Sequence, residues 1–201
     1  MASQQKSTYY AQDGGGVDNP WYVYPSTGLY TVGDGNYPMV DMGGTAPYGI
    51  YSNYLSGVQC SFSIPTGSTI NGIYFQFYGW SSYYAYGKRC SPFHVNLLKG
   101  SSIYGSDRCT NQYDDWTTSP AWKSYGGSAD LWGGSWTPAD INGSGFGGAM
   151  SAWNYDQTTV NTVCIDQYLL TVYYTVAGVK FCAVLCSKFD GVTFSKFDGV
   201  A

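Results

Sequence analysis

Most of the chain consists of short runs in which apolar and polar residues alternate. The clearest runs cover residues 58–64, 73–78 and 93–97. In the last one, Phe93, Val95 and Leu97 fall on one face and His94 and Asn96 on the other. Because successive side chains of a strand point to opposite faces, each run predicts a strand with one face in the core. The longest β-rich run extends from residue 161 to 176.

Glycine, proline, asparagine and aspartate separate these runs and indicate tight turns. No stretch carries a helical stripe. Thr137 and Pro138 come just before Asp140-Ile-Asn142, and this predicts a single helical turn with a cap and a proline at its first position. Strands without helices between them predict an all-β fold, an antiparallel β-sandwich of the jelly-roll-like kind.

The pattern divides the chain into three parts. Residues 1–16 are rich in Ser and Gln and end in three glycines, which predicts a flexible N-terminal arm. Residues 17–178 are predicted to form the β-sandwich domain, and residues 179–201 a short C-terminal β tail.

The tail contains an internal repeat, because Ser187–Val192 recurs as Ser195–Val200. Each unit ends in Asp-Gly, a tight-turn pair. Two short strands cannot bury a face alone, so the tail must pack on the domain's own sheet or on another chain. The residues of the repeat expected to serve in assembly are Lys188, Phe189, Asp190, Lys196, Phe197 and Asp198.

The amino-acid composition argues against several classes of protein. Only 11% of the 201 residues are charged, 18% are aromatic, and the 13 acidic residues are all aspartate. Such a chain is neither a helical bundle nor a charged disordered protein. A net charge of −4 argues against a nucleic-acid partner. No apolar run is long enough to predict membrane insertion, and the absence of a signal-like apolar segment at the N-terminus predicts cytosolic synthesis.

Catalytic and metal-binding chemistry is poorly represented. A Ser-His-Asp or Cys-His arrangement could use only His94, which lies in mid-strand, so we expect no catalytic residue. The loops Asp13–Asp18 and Gly33–Asn36 are rich in oxygen ligands of the sort that hard cations use. Asp and Asn beside glycine are more often turn residues, and we predict no metal and no cofactor.

The six cysteines lie at positions 60, 90, 109, 164, 182 and 186, without a zinc-type spacing. Cys90 and Cys109 flank a predicted strand, turn and strand, so these two are the candidates for a disulfide. The alternative is that the cysteines are buried thiols in a β core.

Aromatic density is the strongest compositional signal. Trp80, Tyr83, Tyr84 and Tyr86 lie in a segment of Tyr, Ser and Gly, the mixture that rigid recognition loops use. These four residues are the candidates for contact with a ligand or receptor, and a glycan would suit them because sugar faces pack on aromatic rings. The alternative places many of the rings in the core or in a subunit interface.

Five segments occur in an order that resembles a family of β-sandwich proteins found among tailed-bacteriophage virion proteins. The segments are 62–73, 95–100, 125–133, 137–147 and 165–174. The match spans roughly residues 18 to 176, and the tail is similar to short repeats that end such virion proteins. Six cysteines are more than this family usually has.

The resemblance implies a non-enzymatic, multicopy structural protein of the virion, exposed as a head decoration, head fibre or tail fibre. Its partners would be copies of itself in a homo-oligomer such as a trimer, other virion proteins and a host-surface glycan used in attachment. It would assemble in the host cytoplasm. The alternatives are a carbohydrate-binding or adhesive module and a subunit of an extracellular filament on the cell surface.

Overall fold

The computed structural model describes residues 1–14, 19–23, 29, 32–43, 50–82, 90–109, 114–155 and 160–177. In chain order its strands are β1 (Ala2–Ser7), β2 (Tyr10–Asp13), β3 (Met39–Met42), β4 (Ile50–Tyr51), β5 (Leu55–Val58), β6 (Thr69–Ser81), β7 (Cys90–Lys99), β8 (Ser102–Tyr104), β9 (Ala121–Gly126), β10 (Gly147–Asn154) and β11 (Asn161–Thr175). One short helix, α1 (Pro138–Asn142), precedes β10 within this part of the chain.

The strands form two sheets. In sheet A the order is β1-β11-β6-β9, and β3 also pairs with β11. In sheet B the order is β2-β5-β10-β7-β8, and β4 also pairs with β10. All these pairings are antiparallel, from β1 with β11 to β7 with β8. The predicted fold class, an all-β antiparallel sandwich, is therefore confirmed.

Aromatic side chains fill the space between the sheets. Phe75 of β6 meets Tyr168 of β11 edge to face, with ring centroids 4.9 Å apart. The Tyr168 hydroxyl donates to the Leu55 carbonyl of sheet B at 2.9 Å, so one hydrogen bond joins the two layers. Trp132 is fully buried and its Nε1 donates to the Ile73 carbonyl at 2.8 Å. Buried rings whose polar atoms find partners stabilise the core without an unsatisfied donor.

The short helix has the predicted cap. Thr137 is the N-cap, its hydroxyl accepts from the Asp140 N–H at 3.2 Å, and Pro138 opens the helix. The Asp140 carboxylate accepts in turn from the Thr137 N–H at 2.9 Å, which completes a capping box. Ile141 packs into the core, so the turn closes that end of the sandwich. Within the described residues, no helix has the length and apolarity needed to cross a membrane.

The predicted N-terminal arm is wrong over residues 2–13. Residues Ala2–Ser7 pair with β11, and the chain then crosses to sheet B, where Tyr10–Asp13 pair with β5. The crossing is fixed by hydrogen bonds from the Thr8 N–H to the Tyr168 carbonyl and from the Tyr9 N–H to the Val58 carbonyl. An edge strand needs backbone pairing more than an apolar face, so a polar sequence suffices.

The strand predicted over residues 58–64 ends at Val58. Gln59 and Ser61 have φ angles of 63° and 53°, in the left-handed region, and these break the ladder. Cys60, Phe62 and Ile64 are buried all the same. The alternation therefore identified inward side chains although the backbone is not a strand.

The C-terminal repeat lies outside the described residues, the last of which is Ala177. Its six assembly candidates, Lys188, Phe189, Asp190, Lys196, Phe197 and Asp198, remain predictions from the sequence.

Candidate functional site

The outward side of sheet A forms a surface that we call face A, made by the outward side chains of β1, β11, β6 and β9. Its orientation follows from β6, where Phe75 and Phe77 are fully buried between the sheets. Because strand side chains alternate, Tyr74, Gln76 and Tyr78 point the other way, and all three are partly exposed.

Aromatic rings stand along one half of face A. Trp80, a predicted ligand contact, meets Tyr37 edge to face with centroids 4.8 Å apart. Tyr78 lies directly opposite Trp122 of β9, with ring centroids at 5.2 Å. The Trp122 side chain is 41% exposed. The sequence predicted Trp80 as a contact residue. The other rings beside it, Tyr37 and Trp122, are distant in sequence and lie near it only in the folded chain.

Neutral amides and hydroxyls form a second group on face A, beside the partly exposed Tyr74, Leu169 and Tyr173. Their cross-strand hydrogen bonds run from Gln5 Nε2 to Thr171 Oγ1 (3.0 Å), from Gln76 Nε2 to Ser124 Oγ (3.1 Å) and from Gln167 Nε2 to Ser7 Oγ (2.8 Å). These bonds use the amide nitrogens as donors. An amide oxygen has two lone pairs, so Gln5 and Gln76 also present acceptors on this surface.

Among the outward positions of these four strands, no exposed side chain is charged. Three described cations lie in ion pairs elsewhere: Lys99 Nζ with Asp140 Oδ2 at 2.9 Å, Arg108 Nη2 with Asp130 Oδ1 at 2.6 Å, and Lys123 Nζ with Asp114 Oδ1 at 2.7 Å. For Asp130, burial raises the carboxyl pKa, but the bonds and charge of Arg108 and the Trp132 N–H outweigh it and hold the pKa below its ordinary value.

The outward side of sheet B, which we call face B, carries a different aromatic cluster. Phe93 is its centre, with ring centroids 4.4 Å from Tyr51, 4.2 Å from His94 and 6.3 Å from Trp153. Tyr155 adds an edge-to-face contact with Trp153 at 5.3 Å.

The inward position predicted for Phe93 is wrong. The register of β7 against β10 shifts between Ser151 and Ala152, so Ser151 pairs with His94 but Ala152 pairs with Pro92. Phe93 is the extra residue of a β-bulge, and a bulge turns the alternation around. Val95 and Leu97, beyond the bulge, are buried in the core as predicted.

A contact between histidine and aspartate lies beside the cluster on face B. Asp107 Oδ2 contacts His94 Nδ1 at 2.5 Å, while Asp107 Oδ1 accepts from the N–H groups of Val95 and Cys109, both at 2.9 Å. Tyr54 stacks on His94, and its hydroxyl donates to Asn96 Oδ1 at 3.3 Å. Burial first, and then the Asp107 charge, raise the pKa of Tyr54 to about 12.

Face B brings serine, histidine and aspartate together, but the serine is buried. Ser151 pairs with His94 across β10 and β7, so both side chains lie on one side of the sheet. The Ser151 hydroxyl is buried and makes no hydrogen bond to His94. A nucleophile has to reach both its base and a substrate, and this one reaches neither.

Three of the predicted contact residues, Tyr83, Tyr84 and Tyr86, lie outside the described residues. Cys90 is buried and Cys109 is partly buried; the structure has both as thiols rather than as a disulfide. Cys109 Sγ donates to the Pro92 carbonyl, two residues along β7 from Cys90, at 3.1 Å.

Of the two loops that contain oxygen ligands, Gly33–Asn36 serves as a turn and an anchor, while residues 15–18 of the other lie outside the described residues. Asp34 Oδ1 accepts from the Asn36 N–H at 2.8 Å, an Asx turn. The Gly33 N–H donates to Asp166 Oδ2 at 2.7 Å, so this buried carboxyl of β11 holds the loop. Burial raises the pKa of Asp166, and the Gly33 N–H opposes this increase. Within the described part of the chain, no group of three metal-ligating side chains comes together.

No protein-family model matches the chain, and a search of curated proteins gives no match. Among solved structures, one described as "CBM4 structure and function" is 14% identical with a TM-score of 0.38, covering 75% of this chain and 92% of that one. A family 11 carbohydrate-binding module from Clostridium thermocellum, in complex with a β-1,3-1,4-mixed-linked tetrasaccharide, is 13% identical with a TM-score of 0.37, covering 85% and 96%. A crystal structure with a xylogluco-oligosaccharide is 12% identical with a TM-score of 0.36, covering 82% and 36%. Because these scores are low, we base the function on the residues of this chain.

Proposed function

We propose that the protein is a non-enzymatic β-sandwich module that binds a glycan on face A. The observation that supports this most directly is the absence of exposed charge from the outward positions of β1, β11, β6 and β9, where rings such as Trp122 and Tyr78 stand beside the amide–hydroxyl pair of Gln76 and Ser124. A sugar has an apolar C–H face and a rim of hydroxyls. The C–H face packs on the rings, while the amides exchange hydrogen bonds with the hydroxyls.

Face A suits this role because its rings are accessible. Trp122 is 41% exposed, and Tyr74, Tyr78 and Trp80 are each partly exposed. On face B the rings contact one another in a chain from Tyr51 through Phe93 and Trp153 to Tyr155. The face A rings form separate pairs, Tyr37 with Trp80 and Tyr78 with Trp122, which leaves more open ring faces than one continuous cluster, even though Tyr155 at the end of that cluster is 49% exposed.

The test is affinity electrophoresis of the full chain through gels that contain soluble polysaccharides. We expect retardation by at least one polymer, and we expect Trp122→Ala to lose most of it. Tyr10→Ala is the matched control, since Tyr10 is 49% exposed but lies on β2 of sheet B. No retardation by any polymer, or equal retardation of wild type and Trp122→Ala, would overturn the proposal.

The non-enzymatic part of the proposal has its own test. A screen of glycoside, ester and peptide substrates should show no turnover, because the Ser151 hydroxyl beside His94 is buried. Turnover that disappears in His94→Ala would contradict it.

We also propose, as the biological setting, that the chain is an exposed structural subunit of a tailed-phage virion. The ordered segments between residues 62 and 174 and the repeated Ser-Lys-Phe-Asp-Gly-Val units favour this setting over a free adhesive module. Deletion of residues 187–201 should remove the protein from purified particles, as quantified by mass spectrometry. Normal occupancy in the deletion would refute anchoring through the tail, and helical filaments in electron micrographs would favour the filament alternative.

A further inference from the structure

The outward residues of β6 form a regular row across face A. They are Tyr74, Gln76, Tyr78 and Trp80, three rings and one amide. A strand rises about 3.3–3.4 Å per residue, so neighbours in this row are about 6.7 Å apart and the row spans about 20 Å. That length accommodates several linked sugars rather than one.

The two middle positions in the row have side-chain neighbours on both adjoining strands. Tyr78 lies between Trp122 of β9 and Gln167 of β11. Gln76 lies between Ser124 of β9 and Leu169 of β11. A chain along β6 would therefore meet rings at three of the four positions and polar groups beside the middle two, over a length of several sugars.

One end of the row is bounded by backbone. A Cβ added at Gly72 would lie 2.4 Å from the Gly127 carbonyl oxygen and 2.3 Å from the Ser128 carbonyl carbon. This segment covers the outward side of β6 just beyond Tyr74. The usable length of the face is thus the stretch from Tyr74 to Trp80.

The charges around the row determine which glycans can bind. An acidic glycan needs a cation to offset the desolvation of its carboxylates or sulfates. The outward positions described on β1, β11, β6 and β9 provide none. Lys6 of β1 is exposed, but it pairs with buried Leu170 and so points to the other side of the sheet. Lys123, on β9 itself, is 9% exposed and paired with Asp114. The exposed carboxylate of Asp41, on the outward side of β3, would repel an anionic glycan. Neutral amides and hydroxyls remain, and these match uncharged sugar hydroxyls.

From these observations, and resting on the glycan-binding function proposed above, we infer that the ligand is an uncharged linear glycan with several consecutive sugars lying along β6 from Tyr74 to Trp80. The chain contacts Tyr78 and Trp122 near its middle. Recognition requires no charged group.

The experiment uses isothermal titration calorimetry of the full chain with two sets of probes. One set runs from glucose to a linear β-glucan hexasaccharide, together with the parallel mannan series. The other is polygalacturonate, an anionic polymer. We expect affinity to rise at least about tenfold from monosaccharide to hexasaccharide in one neutral series, no binding of polygalacturonate, and little change with added salt, because no charge pair is screened.

A charge-introducing variant sharpens the test. Gln76→Lys places a cation in the middle of the row and should weaken the neutral hexasaccharide about tenfold while creating affinity for polygalacturonate. Gln12→Lys, at an exposed position on β2, is the matched control and should change neither. Urea denaturation of both variants verifies that they fold.

The outcomes separate the two proposals. Equal or tighter binding of polygalacturonate by the wild-type protein, or a monosaccharide bound as tightly as the hexasaccharide, would overturn the inference and leave glycan binding intact. Binding of neither series nor of the anionic polymer would overturn the glycan-binding function itself.

Discussion

Faces A and B are both rich in aromatic residues, and they differ in what surrounds each ring. On face A, Tyr78 and Trp122 stand beside the hydrogen-bonded amide and hydroxyl of Gln76 and Ser124. On face B, Phe93 touches Tyr51 and His94, so the rings pack mainly on one another. Composition alone treats the two faces as equal, whereas their cross-strand neighbours differ, and the proposal that face A binds the glycan rests on this difference.

Charge separates the faces further. The Asp107 carboxylate on face B contacts His94 and accepts from two backbone N–H groups, so its hydrogen-bonding capacity is used in holding β7 and the following loop. The outward positions described on the four strands of face A carry no exposed charge. A polar surface that satisfies itself through neutral pairs keeps acceptors for an uncharged ligand.

The largest expected difference concerns stability. Phe93→Ala should lower the free energy of unfolding by about 3 kcal/mol, because it removes the ring at the centre of the face B cluster. Trp122→Ala on face A should change it by at most about 0.5 kcal/mol, since an exposed ring loses little packing. Urea denaturation monitored by circular dichroism measures both. Equal losses in the two variants would mean that the faces do not differ as described.

A smaller difference should come from the polar groups. Asp107→Asn weakens the contact with His94 and one or both backbone hydrogen bonds, and we expect a loss of about 1–2 kcal/mol. Gln76→Ala, which removes one exposed amide–hydroxyl pair, should cost less than about 0.5 kcal/mol. The same urea curves provide the comparison, and a larger loss for Gln76→Ala would reverse our assignment of the structural role to face B.

Alkaline pH should affect face B through Tyr54. The neutral phenol is favoured in the folded state, because burial and then Asp107 raise its pKa from 10.0 to about 12. The unfolded chain therefore loses this proton first, and stability that is complete below pH 10.0 is lost as the pH rises towards about 12. Buried thiols contribute from lower pH, since burial raises the pKa of Cys60 from 9.0 to about 12.

The corresponding measurement is the unfolding free energy of wild type and Tyr54→Phe from pH 8 to pH 12. We expect a shallower decline in Tyr54→Phe. Parallel curves would show that Tyr54 is not held in its neutral form by this environment.

The sequence predicted the fold class and the core better than the site. Alternation placed Phe75, Phe77 and Leu97 inside, and these are buried because both faces of a regular strand follow from its period. It failed at Phe93, because a β-bulge depends on how β7 pairs with β10, which a single strand does not encode. It also failed for β1, whose polar residues pair through their backbone.

The candidate site was found only in part for the same reason. Trp80 stood out by its aromatic context, yet Tyr37 and Trp122 take part in face A only after strands distant in sequence align. The cross-strand amide–hydroxyl pairs leave no local motif, since Gln76 and Ser124 are far apart along the chain. Asp166 differs in that its buried carboxylate has a backbone partner distant in sequence, the Gly33 N–H.

The most direct test of the central claim compares paired ring deletions on the two faces. Trp80→Ala/Trp122→Ala removes two rings from face A, and Tyr51→Ala/Tyr155→Ala removes two from face B. Calorimetric titration with the neutral polysaccharide that retards the wild-type protein should show at least about a hundredfold weaker binding for the face A variant and near-normal binding for a folded face B variant. Normal binding by the face A variant, with binding lost in a folded face B variant, would contradict the claim that face A is the glycan-binding surface.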